Sequence, residues 1–201
     1  MNSLLLKVPK QRIGAVIGKQ GETRREFEEM CDCKIKVDSG TGDIEITSEN
    51  ANAITFYRLE AVIKAIGRGF SPDHAKYLLD DNSTLNIINL HDLGIHTDKT
   101  METRRARVIG SQGIIRKFLE DSLDCFIAIQ GRTIAIIGEV SRIRICHEAI
   151  IRLLKGANVA SIKKFIESSL KNADYVSNTE SNYIDIKDTE VEADDKDILD
   201  D

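Results

Sequence analysis

Tryptophan is absent from this 201-residue chain, proline occurs twice, and the aromatic rings amount to six Phe and four Tyr. Ring surfaces are therefore scarce, so a grip on any extended ligand must rest on glycine turns, aliphatic side chains and cations more than on stacking platforms. No window approaches the roughly 18 to 20 consecutive apolar residues of a membrane span, and the N-terminus lacks the apolar core of a signal peptide. The expectation is a soluble, cytoplasmic protein with no membrane role. Catalytic signatures are missing as well: G-x-x-x-x-G-K-[ST], G-x-S-x-G and H-E-x-x-H do not occur, and His74, His91, His96 and His147 lie apart. Cys31-x-Cys33 is too tight for a C-x-x-C zinc knuckle, and no H-x-x-x-H accompanies it or the other two cysteines, Cys125 and Cys146. The chain is expected not to be an enzyme, to use no cofactor and no metal, and to bury its thiols as small hydrophobes.

Positive charge in excess is also missing from the whole, with a formal net charge of -5, but the deficit is local. Residues 174–201 hold 11 Asp and Glu against 2 Lys, leaving 26 Lys and Arg against 22 acids in the rest. An acidic tail thus masks a mildly basic body, and because fields are screened over roughly 8 to 10 Å, the body's own sign governs its partners. Low hydrophobicity and many acids make the tail a disordered segment by composition.

What is present twice is more informative. Val8 to Phe27, VPKQRIGAVIGKQGETRREF, returns in weaker form as TRRARVIGSQGIIRKFL from Thr103 to Leu119. Each copy runs an apolar pair into Gly-x-x-Gly and then into a basic, helix-spaced segment. Two glycines three apart allow a turn whose backbone approaches a ligand closely, and a helix starting at the second one presents free N–H groups that suit phosphate.

Periodicity predicts the same order around both copies. In the first, a strand from Ser3 to Val8 precedes a helix from Lys10 to Ile17, a helix to Cys31, alternating strands KIKVD and GDIEIT, and a helix from Ala51 to Ile66 with an apolar face of Ile54, Leu59, Val62, Ile63 and Ile66. Phe27, Met30 and Cys31 are expected on one face of the second helix. After a helical linker opened by Ser71-Pro72, the second unit has a strand Leu85 to Leu90, a loop His91 to Thr100, helices Met101 to Ile109 and Ile114 to Leu123, strands Cys125 to Gln130 and Thr133 to Ile137, and a helix Val140 to Leu154. Asn158 can cap a last helix through Leu170. The reading is an α+β chain of two β-α-α-β-β-α units, bounded at residues 1–69 and 83–156, with a linker helix at 70–82, a C-terminal helix at 157–172 and a tail at 173–201.

Val8, Pro9, Gly14, Val16, Ile17, Gly18, Lys19 and Gly21 fit the core pattern of the KH module, and in layout the chain resembles the archaeal tandem-KH relatives of the factors that assemble the small ribosomal subunit. The second copy departs from the pattern at Ala106 and at Ser111-Gln112. The resemblance implies two eukaryotic-type KH modules, each holding single-stranded RNA between its Gly-x-x-Gly loop and a strand with its turn. In the first, Gly18, Lys19, Gln20 and Gly21 form the loop, with Lys19 as phosphate cation. Arg12, Arg24 and Arg25 track the backbone, and Ile13, Gly14 and Ile17 floor the bases opposite Ile35 or Val37. Half or more of Ile13, Ile17, Val108 and Ile109 are nonetheless expected in the core. In the second, Gly110, Ser111, Gln112 and Gly113 form a loop without a cation, surrounded by Arg104, Arg105, Arg107, Arg116 and Lys117. The implied ligand is 16S ribosomal RNA near its 3′ end during ribosome assembly, with an rRNA-processing nuclease and a translation initiation factor as partners of a monomer. The alternatives are an RNA-binding regulator, or a protein-docking module in which the charge-poor second loop has given up RNA.

The charge division has a direct test. A chain ending at residue 173 should bind single-stranded RNA as tightly as the full chain or more tightly, with affinity falling steeply as salt rises in a filter-binding titration.

Overall fold

The computed structural model describes residues 2–49 and 53–173, so the expected disorder of the acidic tail lies outside the described residues. The chain divides into two compact units, Met1–Ala157 and one beginning at Asn158.

The first unit holds both modules. Strand β1 (Asn2–Lys7) leads through Pro9 into α1 (Lys10–Ile17), then α2 (Glu22–Cys31), β2 (Lys34–Val37), β3 (Asp43–Ser48) and α3 (Ala53–Gly67). A short helix α4 (Pro72–Lys76) bridges to β4 (Ser83–Asn89), α5 (Asp98–Ile109), α6 (Ile114–Leu123), β5 (Phe126–Gln130), β6 (Thr133–Glu139) and α7 (Val140–Lys155). Each sheet is antiparallel with its last strand central, β1-β3-β2 and β4-β6-β5. The second unit's helix, residues 159–173, is capped by Asn158 Oδ1, which accepts from the Ser161 N–H at 2.8 Å.

The two sheets bury differently. In the first, Leu4, Leu6, Ile35, Val37, Ile44 and Ile46 are register partners on one face, whereas the other face carries Lys7–Asp43 and Lys36–Glu45 ion pairs at 3.5 and 3.8 Å. The second sheet is covered twice. Ile88, Ile127, Ile134 and Ile136 occupy one face, while Leu85, Ile87, Phe126, Ala128, Ala135 and Ile137 occupy the other and join the first module's core. Phe70, Ala75 and Leu78 fill that junction, so the connection between modules is packed structure rather than spacer. Its backbone is tied down as well: Arg12 donates from Nε to Ile66 O (2.8 Å) and from Nη2 to Phe70 O (2.5 Å), and Arg58 Nη1 donates to Leu79 O (3.0 Å).

Three local expectations need correction. Helix α5 begins at Asp98, three residues before Met101, because Thr97 caps it by accepting the Thr100 N–H at 3.3 Å; part of the expected loop is therefore helix, and residues 90–93 form a 3-10 turn. Ile54 is 60% exposed, since it points almost opposite to Phe56, which takes the core position with Leu59, Val62, Ile63 and Ile66. Met30, at 55%, flanks the core beyond Phe27 and Cys31. All four cysteines are buried free thiols, and burial pushes Cys33 up to about 12.

Removing the ring of Phe70 leaves a cavity in the core that the linker shares with both modules. Phe70→Ala should lower unfolding free energy by about 3 kcal/mol, and urea melts should show one transition rather than two. A fragment of residues 82–171, stripped of its cover, should bind a hydrophobic dye that the full chain does not.

Candidate nucleic-acid interface

Both Gly-x-x-Gly loops fold alike despite their different sequences. Gly18 and Gly110 have φ 74°, Gln20 and Gln112 have φ 53° and 52°, and Gly21 and Gly113 have φ 80° and 78°. In each, the first glycine closes the preceding helix, by N–H donation to Gly14 O (2.9 Å) or Ala106 O (2.8 Å), and the second opens the next helix in the left-handed region. The glycines are not equivalent. A Cβ on Gly18 would overlap the Thr23 side chain, and one on Gly110 would lie 2.6 Å from Ile115 Cγ1, whereas one on Gly21 would make only an ordinary contact with Arg24 Nη2 at 3.9 Å and Gly113 faces open space. The first glycine therefore serves packing and torsion together; the second serves torsion and leaves room for a ligand beside the positive end of α2 or α6.

In the first module Lys19 and Gln20 stand exposed at the tip. Arg25 braces the loop, donating from Nε to Gly21 O (3.3 Å) and from Nη2 to Gln20 O (3.1 Å). Arg24 lies 3.9 Å from Glu28, whose Oε1 in turn accepts the Ile35 N–H at 2.7 Å. Arg12 spends its guanidinium on the end of α3, as described. Of the expected floor, Ile13 and Ile35 are buried, which leaves Gly14 exposed and Ile17 and Val37 half-buried to line a groove. Opposite stands the turn between β2 and β3, where Asp38 accepts the Gly40 and Thr41 N–H groups at 2.7 and 3.2 Å; these bonds hold its carboxyl below the usual carboxylate range.

The second module repeats this frame 92 residues on, so that Arg104 stands for Arg12 and likewise donates, from Nη1, to the end of its module's last helix at Leu154 O. Arg116–Glu120 is an ion pair at 3.4 Å, and Glu120 Oε1 accepts the Ile127 N–H at 2.8 Å, as Glu28 does for Ile35. The Arg-x-x-x-Glu pair and the left-handed Asp32 and Asp124 that follow it were visible in the sequence once the two copies are aligned, and were missed. Arg107 reaches over Gly156, and Arg105 donates to Gly131 O at 2.9 Å in the β5–β6 turn. That two-residue turn is shorter than the first module's, so the second groove has a lower far wall. Ser111 and Gln112 are exposed, with Lys117 and Arg116 behind them.

A family model described as a eukaryotic-type KH domain, KH-domain type I, matches residues 84–171, and a KH-domain model matches residues 3–56. A KH domain-containing protein of Methanocaldococcus jannaschii is 34% identical over 164 residues, 81% of this chain and 72% of that protein. The chain belongs to the KH family of RNA-binding proteins. Among solved structures it is similar to Dim2p from Pyrococcus horikoshii, with 36% identity over 84% of this chain and 99% of that one and a TM-score of 0.78. It is also similar to a chain in a complex of a/eIF2α, aDim2p and rRNA from the same organism (36% identity, 85% and 95% covered, TM-score 0.79). A protein of unknown function from Aeropyrum pernix shares 25% identity over 90% of this KH chain and 96% of its own, with a TM-score of 0.85.

The unequal glycines predict unequal costs. Gly21→Ala should destabilise by about 1 kcal/mol, the strain of a left-handed residue, and Gly18→Ala by about 3 kcal/mol because the overlap with Thr23 adds to it. Urea denaturation of the two variants side by side measures the difference.

Proposed function

We propose that the chain binds single-stranded small-subunit 16S rRNA near its 3′ end during ribosome assembly and pre-rRNA processing, acting without catalysis. The observation that carries this is the pair of matching Gly-x-x-Gly turns, each opening a helix toward solvent with Lys19, Gln20, Ser111 and Gln112 exposed around it. It is supported by the similarity to a chain in the complex of a/eIF2α, aDim2p and rRNA. Backbone N–H groups at a helix start take a phosphate without reading sequence, and the grooves beside them take unstacked bases. Among the candidate site cations, Arg12, Arg25 and Arg104 are spent on carbonyls and Arg24 and Arg116 lie in ion pairs, whereas Lys19, Arg107 and Lys117 are exposed. The same complex contains a/eIF2α, so a translation initiation factor is the protein partner this reading favours, together with an rRNA-processing nuclease acting on the bound end.

The site residues are tested by replacing exposed side chains at the loop tip. Lys19→Asp with Gln20→Asp should leave the thermal midpoint unchanged, since position 20 already tolerates its left-handed torsion, and should weaken binding of a 3′-terminal 16S oligonucleotide by about tenfold or more. A scrambled oligonucleotide bound equally well would reduce the reading to an RNA-binding regulator without 3′-end preference. Binding of an initiation factor with no affinity for any RNA would turn it into a docking module.

A further inference from the structure

The two modules also differ where the linker arrives. In the first, a cleft of about 870 Å³ runs along α2 past Arg24, Arg25 and Glu28 to Cys33 and Lys34, with no aromatic residue in its lining. The equivalent cleft of the second module, about 630 Å³, runs from Gln112 and Gly113 past Arg116 and Lys117 to Phe126, the counterpart of Lys34, and one wall is His74 of α4. His74 lies flat on Phe126, with ring centroids 4.1 Å apart and planes 15° from parallel, and Tyr77 tilts against the same ring at 5.0 Å. His74 and Tyr77 are both exposed, Tyr77 by 50%.

We propose that α4 supplies a base-stacking platform to the second module: the outer face of His74, flanked by Tyr77 and seated on Phe126, receives a nucleobase of a strand whose phosphates lie on the Gly110–Gly113 loop. The inference rests on the single-stranded RNA reading above and adds to it a residue set outside both Gly-x-x-Gly motifs.

The platform is held in place before any ligand arrives. The Ser71 hydroxyl accepts the His74 N–H at 3.2 Å and fixes the first turn of α4, and Lys76 joins α4 to the first module through Glu26 at 2.5 Å. Gly69 lets the chain cross β5 closely, since a Cβ there would stand 2.6 Å from Gln130 Oε1. One acid of the cleft is already engaged: Glu120 accepts the Ile127 N–H and pairs with Arg116. Asp121 and Asp124 also line the cleft, and both follow Glu120 in the chain, farther from the Gly110–Gly113 loop in sequence. A π-face accepts any base, so the stack fits a loop that lacks the lysine of its counterpart and compensates for it without sequence preference.

The chain contains no tryptophan, so His74→Trp in the full chain creates a single reporter at the proposed contact. With the 3′-terminal 16S oligonucleotide, its affinity should stay within about threefold of the parent and its emission should be quenched on binding, whereas His74→Ala with Tyr77→Ala should bind about tenfold more weakly. An oligonucleotide made abasic at the stacked position should lose about tenfold with the parent chain and little with the double alanine variant. Emission unchanged at saturating RNA, or an alanine variant that binds as the parent does, would overturn the platform while the RNA reading stood; the stack would then be a packing contact between linker and sheet. An alanine variant that failed to fold would leave the decision to the Trp emission and the abasic series on the parent. A parent chain without affinity for single-stranded RNA would overturn both readings together.

Discussion

Burial of the second sheet on both faces is the constraint from which the arrangement of this protein follows. A KH sheet needs one face for its own helices, and the first module leaves the other to solvent under lysines and acids. In the second module that face carries Leu85, Ile87, Phe126, Ala128, Ala135 and Ile137, an apolar area that must be covered. The end of α3 and the linker cover it, and in doing so make two repeats into one folding unit. The same contact brings α4 to the edge strand β5 and therefore sets what stands beside the second groove.

Arginine use shows how much of the basic character is structural. Arg12 and Arg104 occupy equivalent positions and both neutralise the carbonyl end of their module's last helix, where a cation also complements the helix dipole. Arg25 stiffens its loop, and Arg24 and Arg116 lie beside the glutamates that hold the edge strands. What remains for phosphate is a small set of exposed side chains around two backbone turns. The interface accordingly depends on geometry more than on charge density, in keeping with a body whose net charge is only slightly positive.

The turns themselves are indifferent to the residues between their glycines. The residues on either side of Lys19 have φ values within two degrees of those on either side of Ser111, so the modules share one phosphate-facing scaffold and differ in the groups mounted on it. The first module carries a cation at the tip and a longer turn across the groove. The second carries neither, but has aromatic rings imported from the linker.

The sequence by itself determined the repeat, the order of elements in each module, both loops and most element boundaries, because glycine torsions, caps and periods of 2 and 3.6 residues are local properties. It also held the difference between the sheets, since KIKV and DIEITS alternate where TIAII runs apolar without a break, the pattern of a strand buried on both sides. Composition suggested that stacking surfaces would be scarce, which is true of the count and not of the placement. Only the tertiary structure decided that Arg12 and Arg104 are bound to carbonyls 50 or more residues away, that Ile13 and Ile35 lie under the groove rather than in it, and that His74 meets Phe126. Those outcomes depend on which distant backbone ends and which ring a side chain encounters once two modules close on one core, and no local pattern encodes that meeting.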